Sequence, residues 1–189
     1  MTSTPPTGAP HHHHGATTAT AMLREEHEVI LRALELLERL GRDLETGRAV
    51  DRNAREWLVD FFRTFADRCH HGKEEALLFP ALERHGVPKE GGPVGVMLLE
   101  HEEGRALVRA IGEGDDAGVA AAIRKYVTLL RAHIEKENGV LFPMAEQVLP
   151  DEEQRLLVHA FEEAERTAVG PGVHERFLAG LARLEREAR

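Results

Sequence analysis

Two stretches of the chain, His70-His-Gly-Lys-Glu-Glu-Ala-Leu-Leu-Phe-Pro80 and His133-Ile-Glu-Lys-Glu-Asn-Gly-Val-Leu-Phe-Pro143, match at His, Lys, Glu, Leu, Phe and Pro. Core packing repeats apolar positions and leaves polar identities free, so a repeated His-x-x-x-Glu needs a chemical reason. Metal ligation supplies one. Four residues advance an α-helix by about 400°, so His70 and Glu74 leave one face about 6 Å apart along the axis, as do His133 and Glu137. Each pair can grip one metal site.

Two further histidines complete the set. His27, in Leu-Arg-Glu-Glu-His-Glu, shares its helix face with Leu23, Ile30 and Leu34, and His101, in Leu-Leu-Glu-His-Glu, shares its face with Met97, Leu98 and Val108. An inward imidazole without a partner costs free energy, so four converging in one core need something to share. The inventory is four imidazoles and two carboxylates. Cys69 lies next to His70 but about 100° around an α-helix, outside the ligand set. Nitrogen and oxygen ligands without thiolate argue against a closed structural zinc site and for iron, ahead of manganese. Two glutamates can bridge two metals and leave room for a bridging oxygen and a small exogenous ligand.

The elements that must position these residues read as helices throughout. From Thr18, Leu23, Ile30, Leu34, Leu37 and Leu44 recur at helical spacing, with Gly41 and Gly47 marking a frayed end. A second helix spans about 53–79 and is kinked or ended by Pro80; Pro93 opens a third that closes at Gly-Glu-Gly-Asp-Asp-Ala-Gly; a fourth spans about 117–142 and is ended or bent by Pro143. Shorter helices are expected at 151–167 and 174–188. No segment alternates as a strand does. The expected fold is all-α, an up-down-up-down four-helix bundle over 18–148 with a C-terminal helical extension over 149–189. Residues 1–17 hold three of the nine prolines and read as a mobile tail, whose His11–His14 run resembles a purification tag.

The motifs Cys-His-His-Gly-Lys-Glu-Glu-Ala-Leu-Leu-Phe-Pro, Glu-His-Glu-Glu-Gly-Arg and His-Ile-Glu-Lys-Glu-Asn-Gly-Val-Leu-Phe-Pro resemble those of the hemerythrin-like, or HHE-type, cation-binding domains, over about residues 20–145. The resemblance implies a four-helix bundle holding two non-haem irons bridged by Glu74, Glu137 and an oxo or hydroxo group. It assigns His27 and His70 to one iron and His101 and His133 to the other. The family's invertebrate oxygen carriers use a fifth His, in a His-x-x-x-His pair on the third helix, and an Asp five residues after the last His. Here those positions hold Arg105 and Asn138, so one nitrogen ligand is missing, which favours redox chemistry or sensing over clean oxygen carriage. The family's iron-centre repair proteins carry a preceding domain with a Cys motif, which this sequence lacks.

His71 pairs with Glu75 at the same spacing as His70 with Glu74; the alignment with His133 favours His70 and leaves His71 as a further ligand or a supporting contact. Tyr126, seven residues before His133, reads as core or as a pocket residue, Arg105 as a solvated surface residue ahead of a partner for a carboxylate near the site, and His85, His159 and His174 as ordinary surface or loop histidines. With 33 Asp+Glu against 24 Lys+Arg, a net charge of −9 and no basic cluster with interleaved aromatics, nucleic acid is an unexpected partner. No unbroken apolar run suits a membrane span, no secretory signal is present, and a lone Cys makes no internal disulfide, so a cytoplasmic protein is expected. The expected ligand is dioxygen, nitric oxide or a peroxide, bound or sensed in oxidative or nitrosative stress or iron homeostasis. Turnover of peroxide or nitrogen oxides, and iron storage or delivery, are the alternatives. Apolar residues after Pro150 could cap the bundle or form a homodimer face.

Overall fold

The computed structural model describes residues 18–168 and 170–188, and these contain helices and no strand. The tail and its His11–His14 run lie outside the described residues. Helix α1 (Ala19–Glu45) starts where the Thr18 hydroxyl accepts from the Ala21 amide. It runs unbroken through Gly41, which the sequence reading took as part of a frayed end. Gly41 is buried where α1 crosses the fifth helix: a Cβ there would lie 2.7 Å from Ile123 Cγ2, so the missing side chain permits the contact. The chain turns at Gly47, whose φ of +69° is available to glycine at little cost.

Helix α2 (Arg52–Phe61), N-capped by Asp51, passes into π-helical turns at Phe62–His71 and again at Glu74–Leu78, then into α3 (Phe79–Arg84). α4 (Pro93–Glu113) follows. α5 (Asp116–Lys136), capped by Asp115, continues through a π-helical turn at Glu137–Leu141 into α6 (Phe142–Val148). Pro80 and Pro143 therefore do not end their helices. In each case the residue before proline donates its amide five residues back, Phe79 to Glu74 and Phe142 to Glu137. This widened turn accommodates a ring that lacks an N–H and would clash in an α register.

Along each of the four long helical stretches the buried residues divide into two apolar clusters. One gathers Ile30, Leu34 and Leu37 of α1, Phe61, Phe62 and Phe65, Val108 and Ile111 of α4, and Ile123, Tyr126 and Leu130 of α5. The other gathers Met22 and Leu23, Leu78 and Leu82, Val94 and Met97, and Leu141 and Phe142. Between them on the four stretches fall His27; His70, His71 and Glu74; His101; and Glu137, with His133 at the boundary. The break in apolar sequence is thus a polar layer in the interior.

Helices α7 (Asp151–Ala168) and α8 (Val173–Glu187) lie against α1, Phe161 joining one cluster and Phe177 and Leu181 the other. Most apolar residues that a dimer face would have used are buried within the chain; Leu156 is left exposed. No described helix is long and apolar enough to cross a membrane.

Candidate metal centre

The structure brings His27, His70, Glu74, His101, His133 and Glu137 together, each at most 2% exposed. His27 Nε2 and His70 Nε2 are 3.0 Å apart, and His101 Nε2 and His133 Nε2 are 3.1 Å apart. The two carboxylates span these pairs. Glu137 has one oxygen 3.1 Å from His27 and the other 3.1 Å from His133, while Glu74 reaches His70 at 3.7 Å and His101 at 3.5 Å. None of the four carboxylate oxygens is in hydrogen-bonding geometry with a partner.

The outer nitrogens fix the tautomers. Nδ1–H of His70 donates to Glu26 at 2.8 Å, that of His133 to Glu100 at 2.8 Å, that of His101 to Glu75 at 2.7 Å, and that of His27 to Asn138 at 3.0 Å. A carboxylate or amide oxygen only accepts, so Nδ1 carries a proton in each ring and Nε2 is the atom turned inward. Lys73 donates to Glu26 and Lys136 to Glu100. The glutamate preceding each of His27 and His101 thus orients the histidine of the neighbouring helix and pairs with a lysine from that same helix. This makes the site an internal near-repeat, Glu26, His27, His70, Lys73 and Glu74 against Glu100, His101, His133, Lys136 and Glu137. The sequence reading missed Glu26 and Glu100, although the two Glu-His dipeptides were a visible signal.

His71 breaks the repeat, since its counterpart is Ile134. It is buried, both ring nitrogens lack a hydrogen-bond partner, and it groups with Glu74, His101 and His133, ligand atoms within 4.8 Å of one another. The other group is His27, His70, Glu74 and Glu137. Neighbours on an α-helix diverge by about 100°, whereas the wider π turn reduces that step and lets both His70 and His71 face inward. The site therefore holds a fifth buried imidazole, His71, from the second helical stretch, in a place that suits either of the two roles the sequence leaves open for it.

Burial dominates the electrostatics. It depresses His70 to about 4, against the opposing pull of Glu26, and takes His71 well below the usual imidazole range, with His101 adding to the effect. Burial and the neighbouring Glu137 carboxylate raise Glu74 well above the carboxylate range. Imidazole nitrogens 3 Å apart with no proton between them, beside carboxylate oxygens without donors, repel one another unless a cation lies among them. The donor set of nitrogen and oxygen fits iron or manganese.

Arg105 is not a solvated surface residue. It donates to Asp67, Glu75 and Glu102 at 2.6 to 2.8 Å, fixing the carboxylate that orients His101. Tyr126 is buried against Phe62 and lines a cavity beside His71. Cys69 lies with Glu26 and Glu165, apart from the centre. His159 is exposed, His85 bonds the Ala81 carbonyl, and His174 packs on Phe65 and pairs with Glu165.

Residues 18–145 match the Hemerythrin HHE cation binding domain, and the chain belongs to that family. Membership implies metal binding. The chain is 25% identical over 174 residues to the uncharacterized protein Rv1995 of Mycobacterium tuberculosis, covering 87% of this chain and 68% of that protein. Over 88 residues it is 31% identical to the iron-sulfur cluster repair protein YtfE of Dickeya chrysanthemi and 32% identical to that of Salmonella schwarzengrund, 40% of each chain in both comparisons. No solved structure gives a significant match.

Proposed function

We propose that this protein is an up-down-up-down four-helix bundle holding a non-haem di-iron centre that binds or senses dioxygen, nitric oxide or a peroxide. The bundle topology is supported by the apolar clusters: the N-terminal parts of α1 and α4 share one with the C-terminal ends of the second and fourth helical stretches. His27 and His70 would hold one iron and His71, His101 and His133 the other, with Glu74 and Glu137 shared between them. The carrying observation is the pair of close Nε2 contacts, 3.0 and 3.1 Å, beside four unpartnered carboxylate oxygens in a buried layer.

When bound, the irons supply Lewis acidity and one-electron redox capacity. The protein supplies the rest: four fixed tautomers, two carboxylates held between the histidine pairs, and apolar clusters on both sides that keep bulk water out. Three imidazoles on one side and two on the other make the halves chemically unequal, so an exogenous ligand meets a centre with one less crowded end. The partial likeness to cluster repair proteins supports a role in oxidative or nitrosative stress or iron homeostasis, and with it we propose a cytoplasmic location.

The test is elemental analysis of protein in which His11 to His14 are changed to serine. About two irons per chain, lost in Glu74→Ala or Glu137→Ala with helicity retained, supports the centre. One zinc per chain, or no metal with an unchanged fold, refutes it.

A further inference from the structure

A cavity of about 370 Å³ opens beside His71, lined among others by Arg63, Asp67, Arg68, Arg109 and Tyr126. Its charge is opposite in sign to that of the chain, which carries −9. Arg105, also on its wall, is engaged by Asp67, Glu75 and Glu102. Arg63, Arg68 and Arg109 are exposed and form no ion pair among the described residues. At the inner end stand His71, with Asp67 at 3.5 Å, and the Tyr126 hydroxyl. The Tyr126 hydroxyl, on a side chain 2% exposed, has no hydrogen-bond partner among the described residues, and neither nitrogen of His71 has one.

The floor is kept open by Gly104. The nearest atom to a Cβ placed there is Tyr126 Cε2 at 3.5 Å, so a methyl fits and a longer side chain would project into the cavity. An unneutralised arginine mouth leading to an unpaired hydroxyl donor is suited to an anion: the guanidinium groups raise its local concentration, and the hydroxyl replaces part of the hydration it sheds on entering. The volume is about ten times a water's share of the liquid, enough for a small anion still carrying part of its water shell.

We infer that this cavity is the access and holding site for a small inorganic anion able to ligate metal through oxygen or nitrogen, held beside the centre with the Tyr126 hydroxyl donating to it. The inference rests on the di-iron reading and adds to it the charge of the ligand and its route.

The experiment uses the iron-loaded full chain, with azide and nitrite as anionic probes and nitric oxide as the neutral one, followed by stopped-flow visible absorption for rates and by titration for affinity. In the Arg68→Glu/Arg109→Glu double variant, whose positions are exposed, the anion association rate is expected to fall about tenfold at low salt, with the difference closing at high salt, and nitric oxide unaffected. Tyr126→Phe is expected to weaken anion affinity several-fold with the low-salt association rate retained. Gly104→Leu is expected to slow both probes. Iron content and circular dichroism establish that each variant is loaded and folded. Nitric oxide binding with anion rates indifferent to arginine charge and to salt overturns this inference alone. A chain that holds no iron overturns the di-iron reading and this inference with it.

Discussion

His71 stacks on His101 inside the protein, ring centroids 3.8 Å apart and planes 13° from parallel. Burial, with the His101 ring adding to it, holds His71 in its neutral form. His101 is oriented by Glu75, whereas His71 has Asp67 at 3.5 Å and no hydrogen bond. A neutral, buried imidazole with both nitrogens unpartnered suits a ligand better than a packing element, which a hydrocarbon would serve at lower cost.

Replacing His71 by the residue at its counterpart position separates these roles. His71→Ile is expected to keep the fold and to lower the affinity for one of the two irons by more than about a hundredfold, beyond the range seen when only the contacts that support a ligand are removed. Chelator competition should become biphasic, one iron leaving early. Retention of both irons at unchanged affinity would show that His71 only packs.

The repeated His-x-x-x-Glu motifs made four site residues legible in the sequence, and the single inward histidines on the first and third helices made two more legible. His71 was ambiguous because α-helical geometry turns it about 100° from His70, and its inward orientation follows from π-helical turns with no short-range sequence signal. Arg105 was open between a solvated residue and a carboxylate partner for a related reason: its three carboxylate partners come partly from another helix, which periodicity along one helix cannot show. Pro80 and Pro143 read as either kinks or ends, and neither ends its helix, because the register has changed from α before each proline.

Glu26 and Lys73 are both buried, Lys73 donating to Glu26. Glu26→Ala would leave the lysine charge without its buried partner and remove the acceptor of the His70 Nδ1 proton. A loss of about 3–5 kcal/mol is expected by urea denaturation. Glu26→Ala/Lys73→Met should recover much of it by removing the stranded charge. A double variant no more stable than the single would place the cost in the lost His70 contact.

Cys69 should be unreactive in the folded protein. Burial raises its thiol to about 12, the nearby Lys73 only partly opposing, and the side chain is 5% exposed. At pH 8 about one molecule in ten thousand would carry the thiolate that attacks a disulfide or alkylating reagent. Modification is expected to track global unfolding across a urea titration. Rapid labelling of native protein would mean that the surrounding segment opens locally.

The docking of α8 depends on a close approach between Gly180 and Trp57. A Cβ at position 180 would lie 2.6 to 2.8 Å from three indole atoms, including Nε1, and the ring is held in turn by a stack on Phe61 and an edge contact with Phe177. Gly180→Ala gains about 1 kcal/mol of helix propensity, while crowding a packed ring costs about 1–3 kcal/mol. The clash should win because the neighbours of Trp57 limit its retreat, leaving a net loss of up to about 2 kcal/mol. Trp57 is the chain's single tryptophan, so its fluorescence reports the contact directly. The expected result is a red-shifted emission and a lower urea midpoint with iron content unchanged, since α8 contributes none of the site residues. An unshifted spectrum with stability raised by the propensity gain would show that the indole yields freely and that α8 docks through Phe177 and Leu181 alone.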